Sequence, residues 1–191
     1  MRILPILLLA CQNAPAPETI DETPKHIEAA ITPHSDADVS YVLDFSERAA
    51  QYFEVRALFP THGQDTLELA LATWTPGSYF IRDYSKHVEH FKAQNVQGES
   101  LEVVKTRKNR WAIEATDLKN IQISYKVYAH AMTVRGNWVE QNLAVLNGAP
   151  TFIFDAKNPD QTASITVHDS EAWANIHTAL RNVMPRFTPL I

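Results

Sequence analysis

The sequence is poor in cysteine and glycine, with one and five respectively among 191 residues, and it has no apolar run long enough to cross a membrane. Because Cys11 is the single thiol, the chain cannot form an internal disulfide, and its stability must come from burial of a hydrophobic core. The net charge of −5 disfavours a nucleic-acid partner, which normally requires a concentrated basic surface. The composition indicates one globular domain.

The N-terminus has the order of a secretory signal. Met-Arg precedes an apolar run from Ile3 to Ala10, and Leu8-Leu-Ala-Cys11 is similar to a bacterial lipobox, in which the cysteine is acylated. Two other interpretations are weaker, because the run is too short for a transmembrane helix and Cys11 has no nearby histidine to make it a nucleophile. We predict a signal peptide at 1–10, lipid on Cys11 as the link to a membrane, and a bacterial envelope location, at the outer membrane facing the periplasm.

Residues 11–38 are rich in proline and polar side chains and poor in aromatic ones. Such a segment cannot bury enough apolar surface to offset the entropy of ordering it. We predict a flexible, disordered tether here, followed by a folded domain at 39–180.

Alternation of apolar and polar residues dominates the chain from Val39 onward, as expected of strands with one buried face. The runs with this period start at Val39, Phe53, Leu67, Leu101, Trp111, Ile121, Thr151 and Ser164. Turn residues separate the runs, and no segment of more than about ten residues has a helical period. Many short strands without alternating helices predict an all-β antiparallel sandwich.

Leu67 to Tyr84, LELALATWTPGSYFIRDY, is the most informative stretch. Its first part is a strand, and Trp74-Thr-Pro76-Gly77 predicts a stiff type II turn with a positive φ at the glycine. We expect the aromatic run from Tyr79 to Tyr84 to form a second strand that carries Arg82 and Asp83 among large apolar side chains.

The string WTPGSYFIRDYSKHVEHF resembles the signature of the N-terminal domain of the glycyl-aminopeptidase family of gluzincin zinc metallopeptidases, which often carry a PDZ domain. Further segments resemble the same domain in the same order, at Tyr41–Phe45, Tyr52–Pro60, Thr133–Arg135, Asn147–Phe154 and Trp173–Leu180. The resemblance covers about 39–180 and also implies a sandwich.

Catalysis in this family depends on a helical H-E-x-x-H motif that binds zinc, and the sequence does not contain it. In the nearest string, His87-Val-Glu-His90, the spacing and the strand pattern disfavour joint coordination. We therefore predict no catalytic residue, metal ligand or cofactor in this chain, with zinc expected only in a missing catalytic domain that begins at 181–191 or is encoded downstream. The alternative is a stand-alone binding or structural lipoprotein that lost the enzyme domain, and an independent enzyme ranks third.

In related gluzincin aminopeptidases the N-terminal sandwich closes one wall of the substrate site. By this resemblance, the candidates for the wall or the domain interface are Tyr79, Arg82, Arg135, Asn147 and Gly148, and Trp74, Pro76 and Gly77 form the structural turn. Asn147-Gly148 favours a tight hairpin, and Arg135 could support it by hydrogen bonding to carbonyls. The competing interpretation is that the five candidates only shape turns.

Overall fold

The computed structural model describes residues 31, 33, 37–75, 77–168, 173 and 175–181. The strands in this part are β1 (Val39–Asp44), β2 (Tyr52–Pro60), β3 (Thr66–Leu71), β4 (Val88–Asn95), β5 (Ser100–Leu101), β6 (Val103–Arg107), β7 (Arg110–Glu114), β8 (Asn120–Tyr128), β9 (Trp138–Val139), β10 (Ala144–Val145), β11 (Ile153–Asp155) and β12 (Ala163–His168). The helical segments are the 3-10 helices Arg48–Ala50 and Tyr84–His87 and the one-turn helix α1 (Gly148–Thr151). The prediction of a β domain with minor helix is confirmed for these residues.

Two sheets pack against each other, one with the strand order β12-β1-β2-β8-β4-β5 and the other with the order β11-β3-β7-β6. Their facing side chains form one continuous apolar cluster. Two buried tyrosines reinforce the contact, since Tyr41 donates a hydrogen bond to the Ile153 carbonyl at 2.6 Å and Tyr125 donates to the Thr151 carbonyl at 2.7 Å. Both hydroxyls are thereby satisfied inside the core, and the architecture is a sandwich.

The alternation seen in the sequence corresponds to the buried face of most strands. β8 follows it throughout, with its odd-numbered residues from Ile121 to Val127 in the core. β1 and β2 depart from it, because Val42 and Leu58 point to the outer face and are buried there under Ile31. Ile31 belongs to the predicted tether, most of which, like the signal peptide and Cys11, lies outside the described residues.

The prediction of a purely antiparallel sheet is wrong at one edge. β12 pairs in parallel with β1, from Val39 opposite Ala163 to Asp44 opposite His168. The connection at 156–162 brings the chain to the same end of the sheet at which β1 begins, so the two strands run in the same direction. Asp38 fixes this start, because its carboxylate accepts hydrogen bonds from the Thr162 backbone and hydroxyl, each at 2.9 Å.

Strand direction sorts the connections into two groups. The turn end of the sandwich consists of the short connections 61–65, 96–99, 115–119 and 156–162. The loop end consists of 45–51, 72–87, 108–109 and the long excursion 129–152. The candidate site residues predicted from the sequence all belong to the loop end.

Candidate functional site

The loop from Ala72 to Asp83 is closed by its own hydrogen bonds. The Arg82 amide donates to the Thr73 carbonyl at 2.7 Å, and the Ser78 amide donates to the Thr75 carbonyl at 3.0 Å. Gly77 has a φ of 82°, as the third position of a type II turn requires. The predicted turn is therefore confirmed at Gly77, while Pro76 lies outside the described residues.

The prediction of a second aromatic strand from Tyr79 to Tyr84 is wrong. The chain is irregular through Asp83 and then forms the 3-10 helix that begins at Tyr84. The closing hydrogen bond from Arg82 to Thr73 turns the chain back on itself, so that Tyr79, Phe80 and Ile81 point outward with exposed fractions of 98%, 68% and 76%. A propensity for strand cannot be realised where the chain reverses direction and finds no neighbouring strand.

Arg82 keeps an apolar neighbour, as the sequence indicated, and Asp83 does not. The Arg82 guanidinium lies over the Phe80 ring at 5.6 Å. Asp83 instead faces the hairpin between β6 and β7, where it forms a 3.3 Å ion pair with Lys108.

Asn147 does not form the expected hairpin turn. It caps the N-terminus of α1, where its side-chain oxygen accepts a hydrogen bond from the Ala149 amide at 3.1 Å. Its side-chain amide donates to the Val134 carbonyl at 2.8 Å. Because every hydrogen-bonding atom of the Asn147 side chain is used within the protein, this residue positions two loops relative to each other, and Gly148 is simply the first residue of the helix.

Arg135 was expected to support the Asn147 loop through hydrogen bonds. Asn137 and Thr151 make those bonds instead. The buried Asn137 accepts a hydrogen bond from the Asn147 amide at 2.8 Å and donates one to the Thr151 hydroxyl at 3.0 Å. That hydroxyl donates in turn to the Asn147 carbonyl at 2.7 Å. These bonds join the two ends of segment 138–146, which lies within the 129–152 excursion, into one rigid unit.

Gly136 is required by close packing in the same region. A Cβ atom at this position would lie 2.5 Å from the Ala131 carbonyl oxygen and 2.7 Å from the Ala131 Cβ. The loop from Ala131 to Gly136 can therefore close only with glycine at its end, which fixes Arg135 on the exposed side.

The loops enclose a cleft with a cavity volume of about 170 Å³. It is lined by Arg82, Asp83, Tyr84, Lys86, His87, Val127, Tyr128, Ala131, Thr133, Arg135, Gly136, Asn137 and Pro150. Arg82 and Arg135, which are 53 positions apart in the sequence, thus line one site. Of the other candidates, Asn147 does not line the cleft but donates a hydrogen bond to Asn137, which does. Tyr79 is exposed on the outward side of the neighbouring loop.

The cleft is basic, and two of the residues that line it carry a buried polar atom that has no hydrogen-bond partner among the described residues. Three cationic residues, Arg82, Lys86 and Arg135, line it, and Asp83 is the one acidic residue among the described lining residues. The unpaired atoms are the Tyr84 hydroxyl and Arg82 Nε. Desolvation by burial, together with the nearby Lys86 charge, lowers the pKa of His87, so this ring adds no charge at neutral pH.

Sequence reasoning missed Tyr84, Lys86, Gly136 and Asn137. Tyr84 and Lys86 fall within the string that carries the family resemblance, but their placement depends on the 3-10 helix that replaced the expected strand. Asn137 had no signal in the sequence, because its role depends on Thr151, fourteen residues away, and on the path of the intervening excursion.

The described residues form neither a metal site nor a membrane-spanning helix. Across the described part of the chain, no three His, Cys, Asp or Glu side chains come together as a metal site requires. The expected strand is wrong at His87, which ends the 3-10 helix, whereas His90 lies in β4 with a φ of 52° at the irregularity of that strand. Among the same described residues, no helix has both the length and the hydropathy to span a bilayer.

Comparison with known proteins gives a consistent family. The model of the Peptidase M61 N-terminal domain matches residues 40–188. Among solved structures, the chain is similar to an aminopeptidase N family protein from Idiomarina loihiensis, with 28% identity and a TM-score of 0.64, over 68% of this chain and 22% of that one. A comparison with curated proteins finds no match. Because the domain match spans most of the sequence, the chain belongs to the Peptidase M61 N-terminal domain family.

Proposed function

We propose that this chain is the non-catalytic N-terminal sandwich of a glycyl-aminopeptidase-like zinc metallopeptidase, and that its loop end packs against the catalytic domain and shapes the substrate site. The catalytic domain would be supplied in cis or encoded downstream, and it would hold the zinc. The similar structure from Idiomarina loihiensis supports this organisation, since the present chain spans 22% of that protein.

Exposure of large apolar side chains at the loop end carries the proposal. Trp74, Tyr79, Phe80 and Ile81 lie on one loop, and Met132 and Val134 lie on the loop that flanks the other side of the cleft. Contiguous exposed apolar groups, aromatic ones above all, are typical of surfaces that pack against a partner. The turn end exposes only Val96 among the large apolar residues described there.

A substrate-site wall also needs side chains held at fixed positions. The cap formed by Asn147, the network of Asn137 and Thr151, and the closed turn at Gly77 give the loop end this rigidity. Arg82, Arg135 and Tyr79 project from these rigid loops toward the space that a partner would occupy. Preorganised groups of this kind support binding at little entropic cost.

The proposal includes a lipid anchor on Cys11, with the protein secreted and facing the periplasm. It rests on the order of charges and apolar residues at the N-terminus. In a bacterial host, intact mass and detergent partitioning should differ between the wild type and Cys11→Ser. An unacylated, detergent-insensitive wild-type protein would contradict this part of the proposal.

The main experiment measures hydrolysis of glycyl and alanyl amides. The chain alone, supplied with zinc, should be inert, and the enzyme reconstituted with its catalytic domain should be active. The double variant Tyr79→Ser, Phe80→Ser should weaken association of the two domains by about 30-fold or more. Aromatic anchors at interfaces contribute about 2 kcal/mol to the free energy of binding. The melting temperature should change little, because both side chains are exposed.

Two outcomes would contradict the proposal. Chelator-sensitive turnover by the isolated chain would make it an enzyme in its own right. Unchanged domain association in the Tyr79 and Phe80 variant would remove the loop end as the docking surface and favour a stand-alone module.

A further inference from the structure

Two residues that line the cleft at the loop end carry polar atoms that the described part of the chain does not satisfy. Tyr84 is 7% exposed, and its hydroxyl has no hydrogen-bond partner among the described residues. Arg82 Nε is likewise buried and unpaired in this part of the chain. A buried donor without an acceptor is costly, so a ligand that supplies an acceptor gains more than it would from an already satisfied site.

The charges around these atoms select an anion. Arg82, Lys86 and Arg135 line the cleft, and Asp83, the one acid among the described residues that line it, is already paired with Lys108. This local excess of positive charge stands out in a protein with a net charge of −5. An acidic group brought to the cleft would therefore meet two guanidinium groups and one ammonium group, and a shift of the Tyr84 side chain would bring its buried hydroxyl into the contact.

Size and apolar lining favour a carboxylate on a short aliphatic stem. The cavity volume is about 170 Å³, and Val127, Ala131 and Pro150 form apolar parts of its surface. Guanidinium and phenol donors bind carboxylate oxygens through charge-assisted hydrogen bonds. The apolar side chains would cover the methylene groups of an aspartate or glutamate, whereas a hydrated phosphate dianion offers them nothing to pack against.

We propose that the cleft is a carboxylate-binding site whose occupant is an Asp or Glu side chain on the surface of the catalytic domain. This inference rests on the proposed function and adds the chemistry of the contact. The exposed side chains of Phe80, Ile81 and Val134 lie on the loops beside the cleft, so they would exclude water from the ion pair once the domains meet. Charged contacts surrounded by apolar groups are the pattern of interface hot spots.

The experiment adds short peptides to the full chain and follows them by nuclear magnetic resonance. The probe is acetyl-Leu-Ala-Glu-Ala-Leu-amide, and its matched control carries Gln in place of Glu. We expect the Glu peptide to bind about ten-fold more tightly, the gain expected of a charge-assisted hydrogen bond. It should also shift the Arg82 Nε–H signal and raise the pKa of His87, which burial and Lys86 hold below its usual range.

Variants locate the site. Arg82→Gln and Tyr84→Phe should each weaken the Glu peptide about ten-fold and leave the Gln peptide unaffected. Lys119→Gln, which removes an exposed cation at the turn end, is the matched control and should bind like the wild type. The Lys86 side chain is exposed, so Lys86→Gln serves as a second cleft variant if Arg82→Gln lowers the melting temperature.

Every other outcome overturns the inference. Equal binding of the Glu and Gln peptides, or no binding of the Glu peptide at about 10 mM, removes the site. Tighter binding of a Gln peptide with a free C-terminus would assign the cleft to chain termini, and tighter binding of inorganic phosphate would assign it to phosphate.

Its failure can be told apart from failure of the proposed function. In the two-domain enzyme, Arg82→Gln should weaken domain association together with the Tyr79 and Phe80 variant. If only the aromatic variant weakens it, the domains still dock through the loop end and the carboxylate contact is wrong. If neither does, the docking surface itself is wrong.

Discussion

The two ends of the sandwich satisfy their polar groups in different ways. At the turn end, Asn95 accepts hydrogen bonds from the amides of Gln97 and Glu99, and Thr61 donates to the Leu118 carbonyl. The fully buried Asp155 accepts from the Lys157 amide at 2.8 Å and from the Asn158 side chain at 2.7 Å. These bonds close the turns and also join them to one another, and Gln64 Oε1 is the buried side-chain atom left without a partner among the described residues of this end.

At the loop end the backbone is equally well held, but the side chains that point outward are not. Asn147 and Asn137 join the loops internally, while Tyr79 and Ile81 remain exposed and the Tyr84 hydroxyl remains unpaired. Rigid loops that present unsatisfied side chains are what a binding surface requires, since the ordering entropy has been lost before the partner arrives. This difference between the ends is what the proposed docking of the loop end requires.

Asp155→Ala should give the largest loss of stability. It removes a fully buried carboxylate that accepts hydrogen bonds from Lys157, Asn158 and Gln64, and it leaves those donors unpaired. Hydrogen bonds to charged groups support an expected loss of about 3 kcal/mol in the free energy of unfolding, measured by urea denaturation. Asp155→Asn, which keeps one acceptor oxygen, is the control and should lose less. Equal losses would show that charge alone matters there.

Gly136→Ala should be the most damaging change at the loop end. The added Cβ would lie 2.5 Å from the Ala131 carbonyl oxygen, so the backbone must shift. Overpacking of this kind supports a loss of about 2 kcal/mol, measured by thermal and urea unfolding. Gly148→Ala is the matched control, because its Cβ would lie 3.8 Å from the nearest side-chain atom. A harmless Gly136→Ala would show that this loop is soft and that the contrast in rigidity is wrong.

The sequence was sufficient for most of the strands, and insufficient for the pairing at one sheet edge and for the loop end. β8 and β3 were predictable because a strand with one buried face alternates apolar and polar residues along the sequence. The parallel pairing of β12 with β1 was not predictable, since it depends on where the connection at 156–162 delivers the chain. Asn147-Gly148 likewise has the composition of a hairpin, yet the hydrogen bonds that Asn147 donates to Asn137 Oδ1 and to the Val134 carbonyl hold it as a helix cap.

The site was predictable to the extent that it depends on rigid turns and charges. Arg82 and Arg135 were selected from the family resemblance, and they line the same cleft. Tyr84 was misplaced because aromatic, β-branched sequence favours strand, whereas the loop-closing bond from Arg82 to Thr73 imposes an irregular path. Side chains brought together by such long-range closure leave no periodic signal.

Asn147→Ala should cost about 1 kcal/mol, the usual effect of losing a helix N-cap. It also removes the hydrogen bond to the Val134 carbonyl, so the position of the 131–136 loop should become less defined. In the reconstituted enzyme, kcat/KM should fall by more than this loss of stability explains. Asn147→Asp keeps the capping oxygen but not the donor to Val134, and it separates the two effects. Activity that falls only in step with stability would make Asn147 a scaffold residue.

His87 should make stability weakly dependent on pH. Burial and the Lys86 charge lower its pKa in the folded state, while Glu89 opposes the shift, and Arg82 and Arg135 line the same cleft. The folded state therefore resists protonation, so this contribution is complete above a pH of about 6.5 and is lost as the pH falls through the lowered folded-state pKa. Urea denaturation from neutral to mildly acidic pH should show a smaller decline for His87→Gln than for the wild type. Identical pH profiles would contradict the burial of this ring.

Tyr84→Phe should have the smallest effect on stability and is the sharpest test of the contrast between the two ends. Its ring is buried in the core cluster, but its hydroxyl has no partner among the described residues. Removing an unpaired hydroxyl while keeping the ring should change the free energy of unfolding by no more than about 0.5 kcal/mol. Tyr125→Phe is the matched control, because that hydroxyl donates to the Thr151 carbonyl and accepts from the Ile153 amide, and its loss should cost about 1 kcal/mol or more. If the two variants lose the same stability, the Tyr84 hydroxyl is already satisfied within the fold and is not held in reserve for a partner.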